Sequence, residues 1–128
     1  MIRLLFLLSF IGCAGVRHHP AEGALGPYSG SVAAGGLVFC SGKIGERDGP
    51  FGREVETALG AVEAELARSG RGLKDAVSVA VFLTDMRLYP ELNAIYARRF
   101  PKPYPARTTV GVASLPGNAR VEISVVAR

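Results

Sequence analysis

The sequence predicts an α+β domain: a mixed β-sheet carrying two helices on one face. Two stretches repeat apolar residues at helical spacing, and five shorter ones have the alternating or continuous apolar pattern of strands. The two kinds follow one another in the order ββαβαββ, and helices separated by strands favour a mixed sheet covered on one side. With 128 residues, 48% of them apolar and 20% charged, the chain has the size and composition of one globular domain. It shows no internal repeat and no second domain.

Val32 to Ala34 and Leu37 to Ser41 flank Gly35-Gly36, a two-residue turn of the kind that joins antiparallel strands, so the domain opens on a hairpin. A glycine-rich loop from Gly45 to Gly52 leads into a helix from Arg53 to Arg68. Val55, Leu59, Val62 and Leu66 form its buried stripe, and Gly70 stops it. Ala76 to Leu83 reads as a strand with Val77, Val79, Val81 and Leu83 on one side. Thr84-Asp85 then caps a second helix that runs to Phe100 and is ended by Pro101 and Pro103. Arg107 to Val112 and Arg120 to Val126 are the last strands, joined through Leu115-Pro116-Gly117-Asn118.

The N-terminus reads separately. Met1-Ile2-Arg3 is followed by an apolar run from Leu4 to Ile11 and then Gly12-Cys13, an order that suggests an export signal. The run is too short for a spanning helix, which needs about 20 apolar residues. Phe10-Ile11-Gly12-Cys13 is similar to a bacterial lipobox, in which Cys13 becomes the lipidated first residue; an ordinary secretory signal and a misassigned start are the alternatives. The expectation is a leader and tether over 1–23 and a folded domain over 24–128. The protein is then exported, periplasmic or lipid-anchored in the cell envelope, or cytoplasmic if the start is misassigned. His18-His19 fall in the tether and read as solvated residues, with no further ligands to make a metal site.

Cys40, in Leu37 to Gly42, is the only cysteine beyond the leader. It reads as a small apolar filler, since no Lys, Arg or His stands next to it to lower its pKa. The formal charge of +4, from 15 Lys+Arg and 11 Asp+Glu, is spread along the chain. With few aromatic residues and no basic stretch interleaved with them, the chain gives no reason to expect nucleic acid as a partner.

Arg107, in Pro105-Ala106-Arg107-Thr108-Thr109, offers a rigid fork of donors at the mouth of a strand, a match for the carboxylate of a small anion. Strand parity puts Val110, Val112, Val121, Ile123 and Val125 towards the helices, and Arg107, Thr109, Gly111 and Glu122 on the other face. If Pro116-Gly117 centres a hairpin, Arg107 and Glu122 share that face about four residues out of register, or roughly 13 Å. The alternative is two ordinary solvated charges.

Several colinear motifs resemble the RidA family, also called the YjgF family. They are Gly26-Pro27-Tyr28-Ser29, Val38 to Ile44, Val81 to Met86, Asn93-Ala94-Ile95-Tyr96, Pro105-Ala106-Arg107 and Val121-Glu122-Ile123, within residues 24 to 127. The resemblance implies a chorismate-mutase-like fold, a homotrimer with active sites between subunits, and hydrolysis of reactive 2-imino acids to 2-keto acids and ammonia without a cofactor or metal. It makes Arg107 the holder of the substrate carboxylate and Glu122 the carboxylate that positions the attacking water. Tyr28, Ser41, Gly42, Asn93 and Thr109 become pocket residues. A noncatalytic small-acid-binding or holdase-like trimeric module, tethered in the envelope, is the alternative. The endoribonuclease reading attached to some relatives lacks a basic aromatic groove here. Three departures stand out: Thr109 where many relatives have Cys, Lys43 in place of a common Gln beside the pocket, and Gly45 in place of a common Pro within a shortened 45–52 loop.

Overall fold

The computed structural model describes residues 15–128; the apolar leader and Cys13 lie outside them. A six-stranded sheet is built from β1 (Arg17–Pro20), β2 (Ser29–Ala34), β3 (Leu37–Ile44), β4 (Ala76–Leu83), β5 (Ala106–Gly111) and β6 (Val121–Ala127), in the order β1-β2-β3-β6-β4-β5. All neighbours are antiparallel except β4 and β5. The helices are α1 (Phe51–Ala67) and α2 (Tyr89–Arg99), the latter forming the crossover that a parallel β4–β5 pair requires.

Local chemistry explains most of these elements. Gly35 and Gly36 both have positive φ, and Ala34 faces Leu37 across them, as a two-residue hairpin turn demands. The expected stripe Val55, Leu59, Val62 and Leu66 is fully buried against Val79, Val81, Leu83, Val121, Ile123 and Val125 of the sheet. Gly70, with φ 67°, ends α1: its N–H bonds the Ala67 carbonyl at 2.9 Å, and the Arg71 N–H bonds that of Leu66 at 3.0 Å, satisfying two orphan carbonyls. Asp85 caps a short 3₁₀ turn, Met86–Leu88, by accepting from the Arg87 N–H at 2.9 Å, and α2 follows directly.

The structure departs from the sequence reading at four places. Arg17–Pro20, within the stretch expected to be a tether, is an edge strand paired with β2; His18 contacts Ser29 and His19 contacts Ser69. Val77 is 44% exposed because the β4–β6 pairing shifts between Ala76 and Ser78. The last two strands do not form a hairpin: β4 lies between β5 and β6, so Pro116–Asn118 is a 3₁₀ turn in a longer connection. The parity of β5 is also reversed. Arg107 pairs with the buried Val79 and Thr109 with the buried Val81, so both face the helices, whereas Val110 is 40% exposed on the open side. A strand takes its face from its partner, and the partner of β5 is β4.

Two carboxylates on α1 tie the helix to the sheet. Glu54 is fully buried and accepts from the Arg120 backbone N–H at 2.7 Å and its Nε at 2.6 Å, which fixes the start of β6. Glu65 accepts from the Ser31 hydroxyl at 2.7 Å, from Lys43 at 3.1 Å and from Arg68 at 3.2 Å. Burial pushes the Glu65 carboxyl up, but the bonds from Ser31 and Lys43 and the charge of Arg68 outweigh it and hold it below the usual carboxylate range. A group depressed in this way stabilises the fold at neutral pH, and that contribution is lost as pH falls through the acid range. Glu65→Gln should therefore lower stability at pH 7 by about 1–3 kcal/mol, with the difference from wild type shrinking towards pH 3 in urea denaturation. A pH-independent difference would contradict this.

Candidate active site

The sequence-predicted residues fall into two groups on opposite faces of the sheet. The first surrounds Glu122 in β6, which pairs with Ile44 on one side and Phe82 on the other and so faces away from the helices. Beside it β3 bulges: Cys40 pairs with Val125 and Lys43 with Ile123, so Ser41 and Gly42 together span the place of one residue. The bulge brings the Gly42 backbone against the Glu122 side chain. A Cβ on Gly42 would lie 1.8 Å from Glu122 Oε1, so the carboxylate occupies the space that a side chain would take. Tyr28, Ser41, Gly42, Ile44, Pro116 and Glu122 line a cavity of about 410 Å³ with Leu25 and Gly26. The Ser41 hydroxyl donates to the Ser29 carbonyl at 2.6 Å, which pins the bulge to the neighbouring strand. Glu122 makes no ion pair among the described residues, so its oxygens stay open to the cavity.

The second group surrounds Arg107 in the outermost strand, β5. Its Nη2 donates to Asn93 Oδ1 at 2.8 Å and to the Tyr89 hydroxyl at 3.0 Å, and the guanidinium lies over the Tyr96 ring, 4.5 Å from its centroid. Tyr89, Asn93 and Tyr96 are four and three residues apart on α2, hence on one face of the helix. Tyr96 in turn stacks on Phe100, with ring centroids 4.1 Å apart. Burial pushes the Tyr96 hydroxyl up to about 12, against the opposing charge of Arg107, so it stays protonated. All the partners of Arg107 are neutral; among the described residues no carboxylate pairs with it. The cage orients the fork and leaves its positive charge unneutralised. Thr109, two residues on, faces the same way with its hydroxyl buried and unpartnered.

Sequence reasoning named Arg107 and Asn93 but not Tyr89 and Tyr96 as their companions. The helical spacing from Asn93 was the available signal. The expected meeting of Arg107 and Glu122 on one face does not occur within a chain: they lie on opposite faces, with β4 between their strands. Lys43 lines a neighbouring cavity with Tyr28 and Gly42, but its charge is met. Beyond the bulge it faces α1, where Glu65 neutralises it at 3.1 Å. Cys40 is buried, and desolvation pushes its thiol up to about 11, against Lys43 and with Glu65, in keeping with a filler role.

Comparison with known proteins converges on one family. Residues 18–128 match the family model described as Endoribonuclease L-PSP. The chain is 38% identical over 109 residues to the 2-iminobutanoate/2-iminopropanoate deaminase of Dermatophagoides farinae, covering 80% of this chain and 85% of that protein. It is 40% identical over 119 residues to Reactive Intermediate Deaminase A, chloroplastic, of Arabidopsis thaliana, covering 88% of this chain and 64% of that protein. Among solved structures, yeast Mmf1 superposes with a TM-score of 0.80 at 34% identity, covering 88% of this chain and 98% of that one. The Arabidopsis relative is named as chloroplastic, and a Saccharomyces cerevisiae relative, 37% identical, as mitochondrial. These relatives overturn the expectation of an exported, periplasmic or envelope-anchored protein. A basic residue followed by a short apolar run is too simple a pattern to specify export. The family match, the identities spread over most of the chain and the shared fold agree with the motifs around Gly42, Asn93, Arg107 and Glu122, and the chain belongs to the RidA family, whose model carries the description Endoribonuclease L-PSP.

Proposed function

We propose that the protein hydrolyses reactive 2-imino acids, such as 2-iminopropanoate and 2-iminobutanoate, to 2-keto acids and ammonia, with Arg107 holding the substrate carboxylate. The observation that carries this reading is the Arg107 guanidinium, oriented by Asn93, Tyr89 and Tyr96 and left without a carboxylate of its own. It supports the same chemistry as the names of the relatives that are 38% and 40% identical. An imine carbon is already electrophilic, so fixing its orientation beside a held water supplies much of the rate. Glu122 takes a proton from that water as its oxygen bonds to the carbon and the C=N electron pair moves to nitrogen. Glu122 returns that proton to the nitrogen, giving the carbinolamine, and then carries the carbinolamine hydroxyl proton to the nitrogen as the C–N bond breaks, the C=O forms and ammonia leaves. A purely binding module would leave the carboxylate seated over Gly42 without a role.

The substrate needs both groups, and one chain holds them on opposite faces of a sheet. We infer that copies of the chain complete each site, the Arg107 edge of one closing on the Glu122 cavity of another, in a trimer. Two further observations support this arrangement. The helix-free face carries Phe39, 45% exposed, and Val110, 40% exposed, where a lone domain would be expected to show polar residues. The Glu122 cavity also opens on that same face, with Tyr28 at its rim, 48% exposed.

Arg107→Ala should abolish imine hydrolysis while the fold is retained, because Arg107 lies on the edge strand and the Tyr96 it covers keeps its own stacking on Phe100. The check generates 2-iminopropanoate in situ with an amino-acid oxidase and traps residual imine with semicarbazide; turnover equal to wild type would refute the assignment. Gly42→Ala should also fold, since the atom it displaces is the far end of a flexible Glu122 side chain. Its kcat should fall by about 10²-fold or more, the range of a lost general base. An unchanged kcat would separate Glu122 from the chemistry.

A further inference from the structure

We propose that the protein carries a second anion site, for a small phosphate-bearing molecule, where the β2–β3 turn meets the C-terminal end of α1. Arg17, Arg68 and Arg71 line one cavity of about 260 Å³ there, and no carboxylate lines it. Three separate local features bring these residues to one cavity. Arg17 reaches the site through strand parity: it pairs with Ala33, and the alternate residue His19 pairs with Ser31, whose hydroxyl bonds Glu65 on α1, so these positions face the helix. Arg68 closes the last turn of α1, and Arg71 is swung in by the left-handed Gly70. On the opposite wall Gly35 and Gly36 present only backbone.

Two of the three charges are left unbalanced among the described residues. Arg68 is shared with Glu65 at 3.2 Å and with the Pro20 carbonyl at 2.7 Å. Arg17 and Arg71 have no ion pair among the described residues, and Arg71 Nε is buried without a hydrogen-bond partner. A favourable interaction with the negative end of α1 accounts for Arg68 and Arg71 being basic. It accounts neither for the buried, unpaired Nε nor for Arg17 arriving from another strand. Buried donors of a charged group are costly when unmet, and like charges around one cavity repel; an anion relieves both.

The number of guanidiniums selects the class of anion. A carboxylate is satisfied by one fork, as proposed at Arg107, whereas two unpaired arginines with a third, shared one lining the same cavity match the several oxygens and the multiple charge of a phosphate or diphosphate. The cavity shares no lining residue with that of Glu122, and it lies at the β1 edge of the sheet, opposite the β5 edge that carries Arg107. The two sites are thus separate in space.

Titration calorimetry on the full chain with inorganic pyrophosphate, and separately with inorganic phosphate, at constant ionic strength tests this. The expected result is saturable binding of one pyrophosphate per chain, weakened by about tenfold or more in both Arg17→Met and Arg71→Met. Arg87→Met, which removes the same charge from a side chain 91% exposed elsewhere, should bind as wild type does. Arg17 is exposed on an edge strand, so its variant keeps the test meaningful if Arg71→Met folds poorly. No saturable heat, or equal weakening by Arg87→Met, would overturn the proposal.

Discussion

The pairing of β6 between β3 and β4 is the constraint on which the remainder of the structure rests. It draws two distant parts of the chain into one sheet and forces β5 outward to the edge, where it can pair only with β4. Glu54 secures that arrangement at its start by accepting from both the backbone N–H and the side chain of Arg120. Glu54 itself is fully buried, so removing Arg120 would strand its carboxylate, and the pair holds β6 in register more by that penalty than by net attraction. Once β6 is fixed, Glu122 must lie beside Phe82 and Ile44 on the open face, and Arg107 beside Val79 on the covered one.

The two halves of the proposed site meet opposite electrostatic requirements with different materials. Around Arg107 the chain supplies an amide oxygen, a phenol oxygen and two aromatic faces, all neutral, which fix a cation without neutralising it. Around Glu122 it supplies a bulge and a glycine, which make room for a carboxylate without pairing it. The cation that could have paired with it, Lys43, is turned by the same bulge towards Glu65 on α1. A bulge of one residue therefore does two things: it opens the cavity, and it sorts a positive charge to the other side of the sheet.

Much of the fold was legible in the sequence because local signals and tertiary outcome agree. The Gly35-Gly36 turn, the apolar stripe of α1, the β4 strand and the Asp85 cap each follow from residues within one element. What was not legible depends on partners far away in sequence. Arg17–Pro20 has no apolar alternation, and its strand exists through pairing with β2 and the contacts of His18 and His19 with serines. The parity of β5 was misread because valine was taken to mark the core, whereas Val110 faces the open side and α2 offers Arg107 polar and aromatic company instead. Arg107, Glu122, Tyr28, Ser41, Gly42, Asn93 and Thr109 entered as site residues chiefly through the family resemblance. Their division between two faces needed the strand order.

The central claim is that each site takes Arg107 from one copy of the chain and Glu122 from another. Co-refolding Arg107→Ala with Glu122→Gln tests it most directly. The account expects each variant alone to be inactive, whereas in mixed oligomers some interfaces would pair an intact arginine with an intact glutamate. The account predicts recovery of about a quarter of wild-type imine hydrolysis from an equal mixture, the share expected for random assortment around a closed ring. Mixed oligomers that form and yet stay as inactive as either variant would contradict it, and would place both residues of a working site in one chain.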